Sequence, residues 1–328
     1  MQITAAMAAS DSTPRTIEYR PDLDGLRAVA VGLVLLAHAR WPIVVNGGDA
    51  GVTAFFVLSG FLITTILVGQ QERTGRIDVV SFYRRRVIRL APALIGVLVF
   101  TLVIGLALGL PSQWPLGIVS CLAYVSNWTE VAGINIDPLG HTWSLAIEEQ
   151  FYLVWPAVLI LMRGRVVPVA IAGIVVMTLV RVISTGNVEY FSTFTRADAV
   201  LVGCVVAFVR PRWPTIVGLI GLAVLVVLTP LIPDHDIALP FAMASSVAII
   251  GSRVPQLGFL AAAGRRAYSL YLWNWPMTLL FGAGGIIAVG MTIAMGELSY
   301  RLLEAPVMRR GSRRVAQAMQ PSLAPGPS

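Results

Sequence analysis

Apolar residues along this chain gather into long uninterrupted runs, not into the alternating or one-faced patterns of soluble strands and helices. The runs fall at roughly 26–45, 51–69, 90–110, 146–162, 166–183, 197–210, 214–232, 238–251, 268–284 and 285–303, separated by short segments rich in Arg, Pro and Gly. A helix crosses the hydrocarbon layer with about 20 apolar residues. The pattern therefore predicts an all-α polytopic transmembrane bundle of about ten spans. The thin segments 197–210 and 238–251 require little tilt or a locally thinned bilayer. A further apolar stretch, 114–128, would invert every later loop if it crossed. It is expected to be re-entrant or interfacial on the outer side; the alternative is that it crosses and one of the two thin segments does not.

Composition agrees with this reading. Of 328 residues, 56% are hydrophobic and 12% charged, against about 25% charged in soluble domains. Mean hydropathy is +0.78. Residues 1–23 carry Asp11, Arg15, Glu18, Arg20 and Asp22 ahead of any apolar run, so they are expected to be a cytoplasmic segment and not a cleaved signal peptide. Residues 24–308 form one transmembrane domain. Residues 309–328, basic and then Pro-rich, are expected to be a disordered tail.

The net charge of +7 comes entirely from arginine, since the chain has no lysine. Nucleic acid is not the implied partner, because the arginines cluster between apolar runs, where they set topology and meet lipid headgroups. Arg73, Arg76, Arg84, Arg85, Arg86 and Arg89 share one connection; Arg163/Arg165, Arg210/Arg212, Arg253/Arg265/Arg266 and Arg309–Arg314 occupy others. All fall on the inside of a multi-pass protein of the bacterial cell membrane if both termini are cytoplasmic. The two cysteines, Cys121 and Cys204, lie in apolar stretches and are read as packing residues; no metal site is expected.

Candidate chemistry sits on three segments. In the first span, Arg27 and His38 are separated by ten uncharged residues. Eleven steps of about 100° bring both side chains to one face, roughly 16 Å apart along the axis. Ionisable groups inside a span mark functional sites by default. A structural role, Arg27 snorkelling and His38 satisfied by neighbours, is the competing account. The second segment, 140–156, places His141, Ser144, Glu148, Glu149 and Tyr152 at the mouth of a span. Helix capping accounts for one of these glutamates better than for both. In the third, Arg84, Arg85, Arg86 and Arg89 precede a helix entry; their guanidinium forks suit phosphate oxygens, though such clusters commonly only fix topology. Gly51, Ser59 and Gly60 are read as helix-packing residues.

These segments together resemble the membrane acyltransferase-3 family, bacterial integral membrane O-acyltransferases that modify surface polysaccharides, peptidoglycan, nodulation factors and macrolides. The resemblance rests on Asp24-Gly25-Leu26-Arg27 with His38, on Gly51, Phe55-Phe56 and Ser59-Gly60-Phe61, and on Phe82-Tyr83 through Arg89. Trp143-Ser144-Leu145 with Glu148 to Tyr152, and Tyr268-Ser269-Leu270-Tyr271, complete it. It covers nearly the whole chain. Two departures stand out: Asn274 replaces a histidine common in the late tryptophan motif, and the stretch from Pro276 to Tyr300 is compressed. No esterase-like domain follows the bundle in these residues, which leaves the reaction to the bundle or to a separate partner.

The resemblance implies transfer of an acyl group, acetyl above all, from acyl-CoA to a hydroxyl of a carbohydrate or glycosylated metabolite. His38 suits the general base, Glu148 or Glu149 its orientation, and Arg27 a charge role at the donor end. Arg84, Arg85, Arg86 and Arg89 are expected to hold the phosphates of the donor. Ser144 or His38 is a candidate nucleophile should a covalent relay operate. Asp24, His141, Trp143, Tyr152 and Asn274 are expected to contact substrate. A transporter or flippase for a lipid-linked sugar is the competing function, since buried Arg, His and Glu also line substrate pathways.

Overall fold

A computed structural model of the chain describes residues 19–308, except 45, 256, 257, 283 and 284. The expectations for residues 1–18 and for the tail 309–328 lie outside the described residues. Those residues are overwhelmingly helical, with no strand among them. In chain order the long elements are α1 (Pro21–His38), α2 (Gly47–Thr74) and α3 (Val79–Leu108). Two short helices follow, α4 (Trp114–Leu122) and α5 (Ser126–Val131), and then a 3-10 turn at Gly140–Thr142 leads into α6 (Trp143–Leu161). Next come α7 (Val166–Ile183), α8 (Gly186–Phe191), α9 (Thr193–Arg196) and α10 (Asp198–Val209). The chain ends with α11 (Thr215–Ala223, prolonged to Leu231), α12 (His235–Ser252), α13 (Gly258–Gly264), α14 (Ala267–Phe281) and α15 (Ile286–Ser299, prolonged through Glu304).

Six helices are long and apolar enough to cross a membrane: Gly47–Thr74, Val79–Leu108, Gly140–Leu161, Val166–Ile183, His235–Ser252 and Ile286–Met308. The other four expected spans are also helical but fall short on length or composition. Helix α1 carries Asp22, Asp24 and Arg27. Helix α14 has 15 residues and α10 has 12, while Thr215–Leu231 is likewise short. Helix α7 is apolar on every side and presents Val175, Val176, Leu179 and Val182 outward, as a lipid-facing helix does. The 114–128 stretch folds as α4 and α5, of 9 and 6 residues, each far below the length that crosses a bilayer.

One boundary changes the chemistry. The arginine cluster does not precede its helix; α3 begins at Val79, where the Asp78 side chain accepts a hydrogen bond from the Ser81 amide at 2.9 Å. Arginine is a good helix former, so the helix extends well ahead of its apolar run and carries the four guanidinium groups on two adjacent turns.

Helix α2 is the centre of the bundle, packed against α1, α10 and α12. Its approach to α10 depends on two glycines. A Cβ on Gly60 would lie 1.8 Å from the Val200 carbonyl oxygen, and one on Gly203 would lie 1.9 Å from that of Val57. The two backbones are therefore in direct contact, the arrangement small residues permit between membrane helices. This closeness draws Ser59, Val52 and Phe56 into the interior, facing α6 and α14. Ser59 is not a packing residue: its hydroxyl donates to Glu148 at 2.8 Å.

Candidate active site

Two cavities enter the bundle from opposite ends. The first, about 500 Å³, is lined by Asp24 and Arg27 of α1, Ser59 of α2, Arg85, Arg86 and Arg89 of α3, Ser144, Glu148 and Tyr152 of α6, and Tyr268, Tyr271 and Glu304. The second, about 430 Å³, is lined by His38, Glu130, Asp137, His141, Trp143, Asn187, Tyr190, Tyr271 and Trp275. Val52 and Tyr271 line both. The helical register explains the division. The eleven helical steps from Arg27 to His38 carry one face of α1 from the arginine-lined cavity to the histidine-lined one. Trp143 and Ser144, adjacent at the start of α6, point into different cavities.

In the first cavity the adjacent glutamates separate by one helical step. Glu149 bonds to Arg86, with Nη2 at 2.5 Å and Nε at 2.6 Å. The same guanidinium lies 3.6 Å above the Tyr152 ring. Glu148 accepts from Ser59 and faces the cavity. Arg27 pairs with Asp24 one turn earlier. Arg85, Arg86 and Arg89 present three guanidinium groups to one space, a constellation suited to phosphate oxygens. Arg84 does not line this cavity: its position on α3 turns it outward, where it is exposed. Glu149 does not line it either.

In the second cavity His38 bonds through Nδ1 to Asn274 Oδ1, and its ring lies 4.7 Å from that of Trp275. This corrects the expected orienting role of Glu148 or Glu149: Glu148 accepts from Ser59 in the other cavity, Glu149 is paired with Arg86, and the imidazole is held by an amide from α14. Because an amide oxygen only accepts, Nδ1 carries the proton and Nε2 keeps a free lone pair. The Asn274 side chain is buried behind His38 and lines neither cavity.

Between the cavities, the Tyr271 hydroxyl donates to the His141 carbonyl at 2.7 Å and lies 2.5 Å from Ser144 Oγ. Tyrosine has one proton to give, so Ser144 donates to Tyr271. The hydroxyl of Ser144 is thus directed at a phenol oxygen and not at an imidazole, an arrangement that does not activate a nucleophile.

Sequence reasoning brings Asp24 and Tyr152 to the first cavity and His141 and Trp143 to the second. It passes over Glu130, Asp137, Asn187, Tyr190 and Trp275, which come from short helices, connections and a helix edge without periodic signal. Trp275 Nε1 donates to Asp137 Oδ1 at 2.7 Å. Burial, reinforced by Asp137, pushes the Glu130 carboxyl up to about 7. At the same end of the bundle Glu189, His235 and Asp236 place one ligand atom each within 4.8 Å of one another. Such a trio could hold a metal ion, but Arg181 Nε, 3.4 Å from Asp236, already supplies a positive charge there.

The sequence matches the family described as an acyltransferase domain over residues 20–296. It is 33% identical to the O-acetyltransferase OatA of Staphylococcus aureus strain NCTC 8325, over 91% of this chain and 58% of that protein. It is 32% identical to the provisionally named O-acetyltransferase SAS0844 of S. aureus strain MSSA476, over 90% of this chain and 58% of that protein. The chain thus spans little more than half the length of these relatives. No solved structure matches it significantly. The family match over most of the chain agrees with the resemblance carried by the Arg27, His38 and Glu148 segments, and this chain belongs to the membrane acyltransferase domain family.

Proposed function

We propose that the protein is an integral membrane O-acyltransferase of the bacterial cell membrane that moves an acetyl group from acetyl-CoA to a hydroxyl of a carbohydrate or glycosylated metabolite. Both termini are cytoplasmic in this reading. One observation carries it: a cavity lined by three arginines of one helix and a cavity with an oriented imidazole meet end to end at Val52 and Tyr271. The arginine cavity opens to the cytoplasm, where coenzyme A is found, and Arg85, Arg86 and Arg89 hold its phosphates. Arg27, paired with Asp24, completes that positive rim.

Helix geometry puts Arg27 and His38 roughly 16 Å apart along α1, so one group cannot assist the other at a single reacting atom. That distance suits an extended pantetheine arm, which carries the thioester past Tyr271 to His38. There Nε2 removes the proton of the acceptor hydroxyl as its oxygen bonds to the thioester carbon. The tetrahedral adduct collapses, the carbon–sulfur bond breaks, and the imidazolium returns its proton to the departing sulfur. The ester product and free coenzyme A leave by opposite cavities. With Ser144 donating to Tyr271 and Glu148 accepting from Ser59, direct transfer is the route supported over a serine relay.

The test is acetyl transfer from radiolabelled acetyl-CoA in inverted membrane vesicles. His38→Ala should abolish labelling of envelope glycans while the purified variant keeps its melting temperature and its acetyl-CoA binding. Full labelling by that variant rejects His38 as the base.

A further inference from the structure

The two cavities differ in the sign of their charge. Arg27, Arg85, Arg86, Arg89 and Arg265 line the first. Among the described residues no arginine lines the second, where Glu130 and Asp137 stand at the rim. Their carboxylates flank Gly140: a Cβ there would lie 3.0 Å from Glu130 Oε1 and 3.1 Å from Asp137 Oδ1. The two acids therefore border one gap that any larger residue would close. Asp49, beneath the Tyr190 hydroxyl that bonds to it, adds a third carboxylate nearby. The guanidinium of Arg196, 2% exposed, lies against the Trp143 and Tyr190 rings at 5.5 and 5.3 Å and does not line the cavity.

A second feature shows that the cavity is built to hold something polar. His141 is 6% exposed and lines the cavity, yet neither ring nitrogen has a hydrogen-bond partner among the described residues. The carbonyls of Pro138 and Leu272 approach the ring closely enough to interact with it but fall outside full hydrogen-bond geometry. Leaving a buried polar group unpaired is costly, and a ligand hydroxyl entering the cavity would satisfy it. The remaining walls are aromatic, with Trp143, Tyr190, Phe191 and Trp275 offering flat apolar faces. Flat rings with carboxylate acceptors at the edge match a pyranose, whose C–H face is apolar and whose hydroxyls donate.

Resting on the reading of this cavity as the acceptor site, we propose that Glu130 and Asp137 are its specificity determinants: they accept hydrogen bonds from a neutral or amino sugar and turn away a sugar that carries a carboxylate or phosphate. Rejection of like charge is a common source of specificity, and a partly enclosed site strengthens it relative to water. The donor's phosphates are then also excluded from the acceptor end, so the two substrates cannot exchange places.

Ligand-observed NMR at pH 8, above the titration of Glu130, on the full chain in lipid nanodiscs tests this with three disaccharides: N,N′-diacetylchitobiose (neutral), chitobiose (cationic) and cellobiouronic acid (anionic). The wild type should bind the first two at least tenfold more tightly than the third. A Glu130→Gln/Asp137→Asn variant that still binds acetyl-CoA should lose most of that preference. Equal binding of all three by the wild type, or an unchanged preference in the variant, overturns the charge filter while leaving the acceptor reading intact. Binding of none of them, in protein that binds acetyl-CoA, overturns both.

Discussion

Replacing Asn274 isolates what the amide contributes to His38. Asn274 is 1% exposed and its oxygen accepts from Nδ1, so Asn274→Leu removes the acceptor and keeps a similar volume. The imidazole then either holds an unsatisfied buried N–H, at about 1–3 kcal/mol, or moves the proton to Nε2 and stops acting as a base. At about 1.36 kcal/mol per tenfold in rate, the cost corresponds to about fivefold to 150-fold in kcat. The Michaelis constant for acetyl-CoA should not change, because the arginines proposed to hold the donor's phosphates lie at the other end of α1. Asn274→Asp restores an acceptor oxygen and should recover most of the lost rate. Single-turnover transfer in nanodiscs at saturating acetyl-CoA measures each variant, with melting temperature as the check on folding. A leucine variant with wild-type kcat, or one whose loss appears wholly in KM, would refute the orienting role.

Two further expectations follow from placement and burial. Arg89→Ala should raise KM for acetyl-CoA about tenfold to a hundredfold, the loss of one charge-assisted contact worth about 1.5–3 kcal/mol, whereas Arg84→Ala, turned outward, should change it less than twofold; steady-state kinetics of the two variants side by side decide this. For Glu130, raised from 4.5 to about 7 by burial and then by Asp137, the folded protein keeps a proton that the unfolded chain releases. That contribution is full below about pH 4.5 and is lost as pH rises toward 7. His38 of α1, Asp137 and His141 of the 132–142 connection, Tyr190 of α8 and Trp275 of α14 surround the same cavity. Melting curves should therefore show the wild type falling relative to Glu130→Gln between those pH values and running parallel above 7; parallel curves throughout would exclude the shift.

The helical character of the fold was legible because lipid imposes a coarse rule that single apolar runs satisfy locally. Each of the ten expected runs contains a helix among the described residues, and six helices meet the length and polarity of a span. Helix ends were harder. The start of α3 lies eleven residues before its apolar run because Asp78 caps a turn of arginines, and hydropathy ignores both capping and propensity. The Arg27–His38 register was readable from helical period alone. Their partners were not: Asn274 comes from 236 residues away in sequence, and the division of Glu148 from Glu149 depends on which side α2 and α3 approach α6. Glu130 and Asp137 had no signal at all. They lie among short elements where no period links sequence to direction.

The narrow junction between the cavities decides how acyl transfer crosses the bundle. Val52 is 7% exposed and, with Tyr271, contributes to both cavities, while Gly51 beside it is pressed onto α1, its missing Cβ 2.4 Å from the Ala30 oxygen. Helix α2 is therefore packed directly on α1 at this point, and the side chain at position 52 stands in the passage. If the pantetheine arm passes here, Val52→Phe should block transfer to the acceptor while acetyl-CoA still binds at the arginines, because added bulk in a packed site has nowhere to go. Val52→Ala should open the passage by about two methyl groups and let propionyl-CoA compete more evenly with acetyl-CoA. Kd for the donor and acyl transfer measured on the same preparations distinguish the steps. Transfer at the wild-type rate through the phenylalanine variant would mean that the thioester reaches His38 by another path, and the end-to-end arrangement of the cavities would lose its role in the reaction.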